Sequence, residues 1–431
     1  MGFLTAKSNG VKAAVCAALL VGAAVSVSAE TVRQNEFQPI FPEILGQGGS
    51  YTAVAEGYHS LFTNPAGLAR TEETEVTFPS LSVWVHSRPD LILPTIGALG
   101  GEDISSDGDG GDEPSRDELI IENLREQFTT NGFGIGSALS FGYVGNGIGV
   151  GMNIATDSYL YGDTFPLGLE GEINSQFTLA FGYAHPFRLG PVDLSVGGTL
   201  RPNLRITSLV GSDTAADLIT QFTGVDTGEG DAGDEEDGDL VSTINALNGW
   251  GVAFDTGLIA GYRSFAVGVQ ARNMFNTTMQ YSRNSLDEVF SALSSGGLPS
   301  SPEEGDEAYV SERYIIPMEL SFGAAWQPDL GEWAAFVDPE LHIQITDPFG
   351  AADLDPDRPN SFWTRVHVGT ELTFLRFFDL RFGANQGYFT LGTGMELMFL
   401  DVQFALFSQE FGRYPGDQQV GGAALEFALR F

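Results

Sequence analysis

The chain is almost devoid of cysteine and lysine, and both absences exclude classes of protein. Its one cysteine, Cys16, lies in the N-terminal apolar stretch, and no lysine follows Lys12. Residues 1–29 have the features of a secretory signal peptide: a positive flank, a short apolar run and a small-residue cleavage site at Val27-Ser28-Ala29. We therefore expect a mature chain that begins at Glu30 and contains no cysteine. Disulfides, thiolate metal sites and cysteine nucleophiles are then excluded.

Long apolar runs are also missing after the signal peptide. No later stretch approaches the roughly 20 apolar residues of a transmembrane helix. Glycine (55) and phenylalanine (32) are abundant while charged residues make up only 18% of the chain, which favours many strands over helices. Because no composition break marks a boundary between soluble domains, one large barrel is the simplest architecture for about 400 residues.

Positive charge is scarce. The 57 Asp and Glu against 20 Lys and Arg give a net charge of −37, which becomes −39 when Lys7 and Lys12 leave with the signal peptide. Such a field repels nucleic acid, so we expect no nucleic-acid partner. The acidity fits a surface suited to a saline habitat. Calcium capture stays open, although neither Asp107-Gly108-Asp109 nor Asp237-Gly238-Asp239 continues with the ligand spacing of an EF-hand loop.

The last eleven residues alternate in type with period two, as a strand between an apolar and a wetter medium does. Ala423, Leu425, Phe427, Leu429 and Phe431 share one face. The ending resembles the C-terminal signal by which outer-membrane β-barrels are recognised for assembly. This resemblance implies that Phe427, Leu429 and Phe431 form an assembly signal, with the lipid bilayer and the outer-membrane assembly machinery as partners.

Thirteen further segments have strand character, so the sequence predicts an all-β, transmembrane antiparallel barrel of about 14 strands. The predicted strands are 75–87, 132–144, 147–161, 173–187, 191–207, 249–262, 265–281, 311–327, 333–346, 362–374, 377–385, 388–399, 401–411 and 420–431. Short links near 145, 189, 264, 329, 375 and 400 share one parity, and long links at 88–131, 208–248, 282–310 and 347–361 share the other. Barrels have short periplasmic turns and longer outer loops. We therefore expect both termini in the periplasm.

Residues 30–74 do not alternate, and they precede a barrel at 75–431. The run from Gly48 to Ala69 resembles the N-terminal hatch of FadL-type long-chain fatty-acid transporters and their PorV-like relatives, which carry a similar run ending in Asn-Pro-Ala. Arg381-x-Gly383-x-Asn385 and its neighbours are similar to the closing strands of the same superfamily. The resemblance implies a hatch in the lumen whose gating residues are Phe62, Asn64, Pro65, Ala66 and Gly67.

Charged residues on the apolar strands must face the lumen, because a charge on the lipid face costs a few kcal/mol. This assignment includes the six residues that are candidates for meeting a ligand or for forming lumen salt bridges: Arg201, Arg205, Arg272, Arg365, Glu371 and Arg381. Either interpretation fits the sequence. Small inward residues from Gly134 to Ala155 leave room for a packed hatch or for a passage, and all five tryptophans fall near predicted strand ends, where an indole bridges hydrocarbon and headgroups.

By resemblance, the function is uptake of long-chain fatty acids or similar hydrophobic compounds across the outer membrane. The alternatives are a PorV-like accessory barrel that binds protein partners, and a structural or adhesive barrel whose acidic loops are the working part. The five histidines lack a recognisable nucleophile motif, so we expect no enzymatic activity, no cofactor and no metal.

The C-terminal residue gives the first test. Deleting Phe431 is expected to lower the amount of protein in the outer membrane far more than Phe411→Leu, because only the former removes the assembly signal. Immunoblots of membrane fractions measure both. Equal amounts of the two variants would show that Phe431 is merely a lipid-facing residue.

Overall fold

The structure is a computed structural model that describes residues 31–71, 74–87, 122, 125–130, 132–165, 168–211, 245–285, 288, 291, 309–310 and 312–431. The predicted signal peptide, the start of the mature chain at Glu30, and the acidic runs from Glu102 to Asp117 and from Asp226 to Asp239 lie outside the described residues. Within the described ranges, no helix is long and apolar enough to cross a membrane.

Fourteen antiparallel strands close into a ring, which confirms the predicted barrel. Its wall runs through β2 (Glu75–His86), β3 (Phe133–Gly145), β4 (Ile148–Gly162), β5 (Leu169–Leu189), β6 (Val192–Val210), β7 (Asn245–Tyr262), β8 (Phe265–Arg272), β11 (Glu319–Trp326), β12 (Val337–Thr346), β13 (Val366–Phe374), β14 (Phe378–Asn385), β15 (Tyr388–Leu397), β16 (Leu400–Glu410) and β17 (Gln419–Arg430). Pairing of β17 with β2 closes the ring. Phe431 extends this seam, because its backbone exchanges hydrogen bonds with Val76.

Two of the predicted strands are interrupted. The predicted strand 265–281 divides into β8 and β9 (Thr277–Ser285) at Asn273, Phe275 and Asn276, which have positive φ. The predicted strand 311–327 divides into β10 (Arg313–Ile316) and β11 at Pro317, where the ladder lacks a donor. The free edge of β10 pairs in parallel with β1 (Thr31–Arg33), a short strand that the sequence did not predict.

The two rims of the barrel differ as the loop lengths predict. One rim, which we call the turn end, carries short turns such as Asn146-Gly147, whose positive φ values fit a type I′ hairpin. Glu75 and Arg430 lie at this rim. The opposite rim, the loop end, carries the link from β12 to β13.

Apolar and polar residues separate across the wall. Alternate residues such as Leu81, Val150, Val267 and Phe427 are exposed outward, whereas their neighbours are buried inward, as in an outer-membrane barrel. Four tryptophans are exposed: Trp250, Trp326, Trp333 and Trp363. The membrane-interface prediction is wrong for Trp84, which is 3% exposed and donates to Asp157 Oδ1 at 2.6 Å inside the barrel.

Residues 34–71 lie inside the ring, and we call them the lumen segment. The segment contains one α-helix, α1 (Pro42–Gly46), and two 3-10 helices, Tyr58–Leu61 and Pro65–Ala69. Helix α1 packs on β14 to β17, while the 3-10 helices pack on β3 to β7. Its apolar side chains form the hydrophobic core together with small inward wall residues: Phe41, Tyr58, Leu61, Phe62 and Leu68 cluster with Val144, Ala180 and Ala184.

Wall glycines make room for the lumen segment at a common level around the barrel. The segment's backbone approaches the wall so closely that a Cβ at these positions would clash with it: Gly197, Gly268, Gly323, Gly369, Gly383 and Gly392. A Cβ at Gly392, for instance, would lie 2.8 Å from Gly46 Cα. We call these six residues the glycine girdle. Glycine is required here for close approach of two backbones.

Two adjacent glycines of β6 test the girdle. A Cβ on Gly197 would lie 2.8 Å from the backbone nitrogen of Ala66, whereas a Cβ on Gly198 would have no neighbour nearer than 3.4 Å. Gly197→Ala is therefore expected to destabilise the barrel by about 1–3 kcal/mol through overpacking, and Gly198→Ala to have little effect. The midpoint of heat-induced mobility shift on a gel measures both. Equal midpoints would show that the lumen segment does not press on the wall.

Candidate functional site

The lumen segment separates two cavities. On the loop-end side lies a cavity of about 600 Å³, which we call the vestibule. On the turn-end side lies a cavity of about 230 Å³, lined by carboxylates that include Glu56, Glu340 and Glu371. Tyr51 lines both cavities. Its backbone nitrogen donates to Gln344 Oε1 at 2.9 Å, so a wall strand holds the residue that separates the two spaces.

The predicted hatch turn is built around Asn64. Its Oδ1 accepts from the backbone nitrogen of Ala66 at 3.1 Å and caps the 3-10 helix that Pro65 begins. Its Nδ2 donates to the carbonyl of Thr52 at 2.7 Å, which ties two parts of the lumen segment together. Asn64 is fully buried, and Gly257 of the wall leaves the space for its side chain.

The remaining predicted gating residues surround this turn. Phe62 is 1% exposed and packs against Phe41 and Tyr58 at ring-centroid distances of 6.0 and 5.3 Å. Ala66 is fully buried, and a Cβ on Gly67 would lie 2.8 Å from Ser60 Cβ. These contacts make residues 58–69 a compact, buried unit.

A charged network on β6, β7 and β8 holds the first part of the lumen segment. Arg201 donates to Asp255 through Nε at 2.5 Å and through Nη2 at 3.1 Å. Its Nη2 also donates to Glu36 Oε1 at 2.7 Å. Arg272 Nη2 lies 2.9 Å from the same oxygen, and Asn273 Nδ2 donates to Glu36 Oε2 at 2.9 Å. We call these five residues the Glu36 network.

The Glu36 network is electrically balanced, with two guanidinium groups facing two carboxylates. Burial alone would raise the pKa of Glu36, but the charges of Arg272 and Arg201 outweigh it and lower the pKa to about 2. Since the pKa of Glu36 is depressed, the attachment is present at neutral pH and is lost only as the pH falls towards that value.

Arg205 and Arg365 lie near the loop end but have different partners. Arg205 donates to the carbonyl of Asn35 at 2.8 Å and lies 5.8 Å from the centre of the Phe37 ring. Arg365, in the 3-10 helix Phe362–Arg365, pairs with Asp347 at 2.9 Å and Asp353 at 2.7 Å. Arg205 therefore contacts the lumen segment from the wall, as Arg201 and Arg272 do. Arg365 instead pairs with two carboxylates of the link between β12 and β13.

The other two candidates, Glu371 and Arg381, lie together inside the barrel, on the side opposite β6 to β8. Arg381 pairs with Glu371 at 2.5 Å and with Asp379 at 3.2 Å. Nearby, Arg430 pairs with Asp401 and Glu426. Each carboxylate belongs to the wall itself. The pairs of Arg381 with Glu371 and of Arg430 with Asp401 connect neighbouring strands, whereas Asp379 and Glu426 lie on the same strand as their arginine.

Sequence reasoning missed Glu36, Asn273 and Tyr51. Glu36 and Tyr51 lie in a non-alternating segment, where no periodicity shows which way a side chain points. The two asparagines that flank the interruption after β8 were the available signal for Asn273. The small inward residues of β3 and β4 face Trp84 and Tyr58, so the structure supports close packing there.

No group of three or more His, Cys, Asp or Glu within the described ranges is arranged to hold a metal ion. Partners of the imidazoles include the carboxylates of Glu43 and Asp157 and the carbonyl of Gly48. These contacts are structural in kind.

Comparison with known proteins finds similarity at the level of structure. No described sequence family and no curated protein matches the chain. The toluene transporter TbuX of Ralstonia pickettii aligns with 91% of this chain and 99% of its own, at 14% identity and a TM-score of 0.45. The Pseudomonas putida toluene transporter TodX aligns over 92% and 98%, at 12% identity and a TM-score of 0.44. A Pseudomonas aeruginosa FadL homologue aligns over 90% and 96%, at 11% identity and a TM-score of 0.38.

Two ion pairs that involve β6 are expected to contribute differently to the free energy of unfolding. Asp255→Asn is expected to lower the free energy of unfolding by about 3 kcal/mol, because it leaves the buried Arg201 without its main partner. Asp193→Asn breaks a pair with Arg188 at the exposed turn end and is expected to change nothing measurable. Heat-modifiable gel migration again reports the difference. Indistinguishable variants would contradict a structural role for the buried pair.

Proposed function

We propose that this protein is an outer-membrane channel for the uptake of hydrophobic small molecules, and that long-chain fatty acids are among them. The observation that carries the proposal is the closed lumen: residues 34–71 separate a vestibule from a second cavity in a barrel that spans the membrane. A general porin, a barrel of about 16–18 strands, instead keeps a water-filled channel open through its lumen.

The lining of the vestibule supports an amphipathic ligand. Phe37, Ile40 and Phe41 present apolar surface, and Arg205 and Arg272 present cations, in the same cavity. Sites of this size that combine apolar walls with a few convergent polar groups are typical of small-molecule binding. An alkyl or aromatic group would lie against the apolar residues while a polar head meets the wall.

In this proposal passage requires the lumen segment to move, because residues 58–69 are packed as a compact unit against the wall. By the resemblance of the run from Gly48 to Ala69 to a hatch, movement of this segment releases the ligand towards the turn end. We place the turn end, where β2 begins and β17 ends, in the periplasm. The proposal is one of transport, without catalysis, cofactor or metal.

The accessory-barrel alternative makes a different prediction. A barrel that binds a protein partner needs no vestibule of this kind, and its phenotype would follow loss of a copurifying protein. A structural or adhesive barrel would act through its acidic loops. Uptake by the purified protein in liposomes separates transport from both alternatives.

Asn64→Asp tests the proposed hatch. The substitution keeps the size of the side chain but replaces the donor to Thr52 by a buried carboxylate that faces carbonyl oxygens. We expect the lumen segment to loosen and the uptake of radiolabelled oleate into liposomes to rise several-fold. Deletion of residues 48–63 is expected to act in the same direction while the barrel stays assembled.

Asn146→Asp provides the matched control, because Asn146 lies in an exposed turn at the turn end. We expect this variant to take up oleate at the parental rate. Uptake equal to that of protein-free liposomes, in the parent and in both variants, would overturn transport and favour the accessory barrel.

A further inference from the structure

The Glu36 network has the chemistry of a carboxylate-binding site that is already occupied. The carboxylate of Glu36 receives hydrogen bonds or ion pairs from Arg201, Arg272 and Asn273 at 2.7 to 2.9 Å. Arg201, Arg272 and Asn273 are all more than nine-tenths buried. Arg272 Nε is also buried, and among the described residues it has no hydrogen-bond partner. Guanidinium groups are suited to planar carboxylates, and Arg272 has an N–H group, Nε, that can donate one more hydrogen bond.

The two carboxylates of the network differ in how they are held. Asp255 belongs to β7, whose backbone pairs with β6 on one side and with β8 and β9 on the other. Glu36 lies between β1 and α1, in a stretch without regular structure. Gln34 donates one backbone hydrogen bond to Ile315, and the next attachments come from wall side chains such as Arg205. Glu36 can therefore leave the network without breaking the barrel, and Asp255 cannot.

Departure of Glu36 would leave two guanidinium groups facing one carboxylate. The site would then have lost one of its two carboxylates at the edge of the vestibule, where Glu36, Arg272 and Asn273 line the cavity and Glu319 lies opposite Arg272. An unpaired buried charge is strongly unfavourable. We therefore expect another anion to bind in the place that the carboxylate of Glu36 has left.

We propose that Glu36 is an internal occupant of a ligand site, and that the carboxylate of an incoming amphiphile replaces it on Arg201, Arg272 and Asn273. This inference rests on the proposed function and specifies it: a monocarboxylate with a long apolar chain exchanges for Glu36, whereas a neutral hydrophobic molecule does not. The exchange breaks no covalent bond and conserves the charge of the site.

The surroundings favour a ligand with an apolar chain. From the Glu36 network, the lumen segment continues through Phe37 and Ile40, which pack against the Trp84 cluster on the other side of the barrel. A chain that starts at the network can lie along these residues and reach Trp84. Glu319 also lines the vestibule and lies opposite Arg272 in the β8–β11 ladder, so an added anion must compete with that carboxylate as well.

The exchange also couples binding to movement of the lumen segment. Release of Glu36 removes the ion pairs that hold residues 34–37 against β6 to β8. The contacts of residues 34–37 with Arg205, Gln176 and Tyr281 remain, together with the short pairing of β1 with β10. A bound carboxylate thus loosens the segment that closes the lumen, which a neutral ligand cannot do by this route.

Tryptophan quenching by brominated ligands tests the exchange. In the full-length detergent-solubilised protein, 9,10-dibromostearate is expected to quench Trp84, and the same titration of Trp84→Phe supplies the background from the exposed tryptophans. Glu36→Gln removes the competing charge and should raise the affinity for the acid at least tenfold. The affinity for methyl 9,10-dibromostearate should change less than twofold. Glu36→Gln combined with Arg272→Gln should return the acid to its parental affinity.

Glu172→Gln is the matched control, since Glu172 lines the vestibule but is not part of the Glu36 network. It lowers the negative charge of the cavity equally and should raise the affinity for the acid less than threefold. An equal gain in Glu36→Gln and Glu172→Gln, an equal gain for acid and ester, or no gain at all would overturn the exchange. If the ester binds the parent in those cases, the proposed function survives. Absence of Trp84 quenching by either compound in every variant would overturn both proposals.

Discussion

A closed ring of fourteen strands is too wide for its own inward side chains to fill, and the rest of the structure depends on this constraint. Eight strands leave an interior that side chains can pack, whereas larger rings need another occupant or stay open to water. Here residues 34–71 are the occupant. Because a polypeptide backbone is wide, the wall must present glycine where the backbone of the lumen segment meets it. The glycine girdle from Gly197 to Gly392 meets that requirement.

The same constraint decides where charge can be placed. Inward residues are sealed between a lipid-facing wall and the lumen segment, so a cation there needs a carboxylate within contact distance. Arg381 and Arg430 find theirs on neighbouring strands, in Glu371 and Asp401. Arg201 and Arg272 depend partly on Glu36, which the lumen segment supplies. Wall and occupant are consequently joined by ion pairs at only part of the circumference.

The ring was predictable from the sequence because alternation, loop parity and the C-terminal strand all report on the wall. The interruption at Asn273 was not, since the predicted strand kept its period across the break, whereas Pro317 itself indicates a bend because proline removes a ladder donor. Inside the lumen the limit is physical. Side chains such as Glu36 and Tyr51 obey no period, and their partners, Arg272 and Gln344, are more than 200 residues away. The membrane-interface prediction for Trp84 failed for a related reason. Trp84 lies near a strand end, as predicted, but its hydrogen bond to Asp157 lies inside the barrel.

Two kinds of contact therefore hold the lumen segment, and they respond differently to a ligand. Backbone packing against the glycine girdle depends on shape alone, and no small molecule can replace it without opening the wall. The Glu36 attachment depends on charge, and the carboxylate of a ligand in the vestibule can accept the same charge-assisted hydrogen bonds. The first kind lies around residues 46–68 and the second around residues 34–37. A soluble amphiphile that reaches the loop end meets the exchangeable contacts first, and the packed unit behind them keeps the membrane sealed until those contacts have changed.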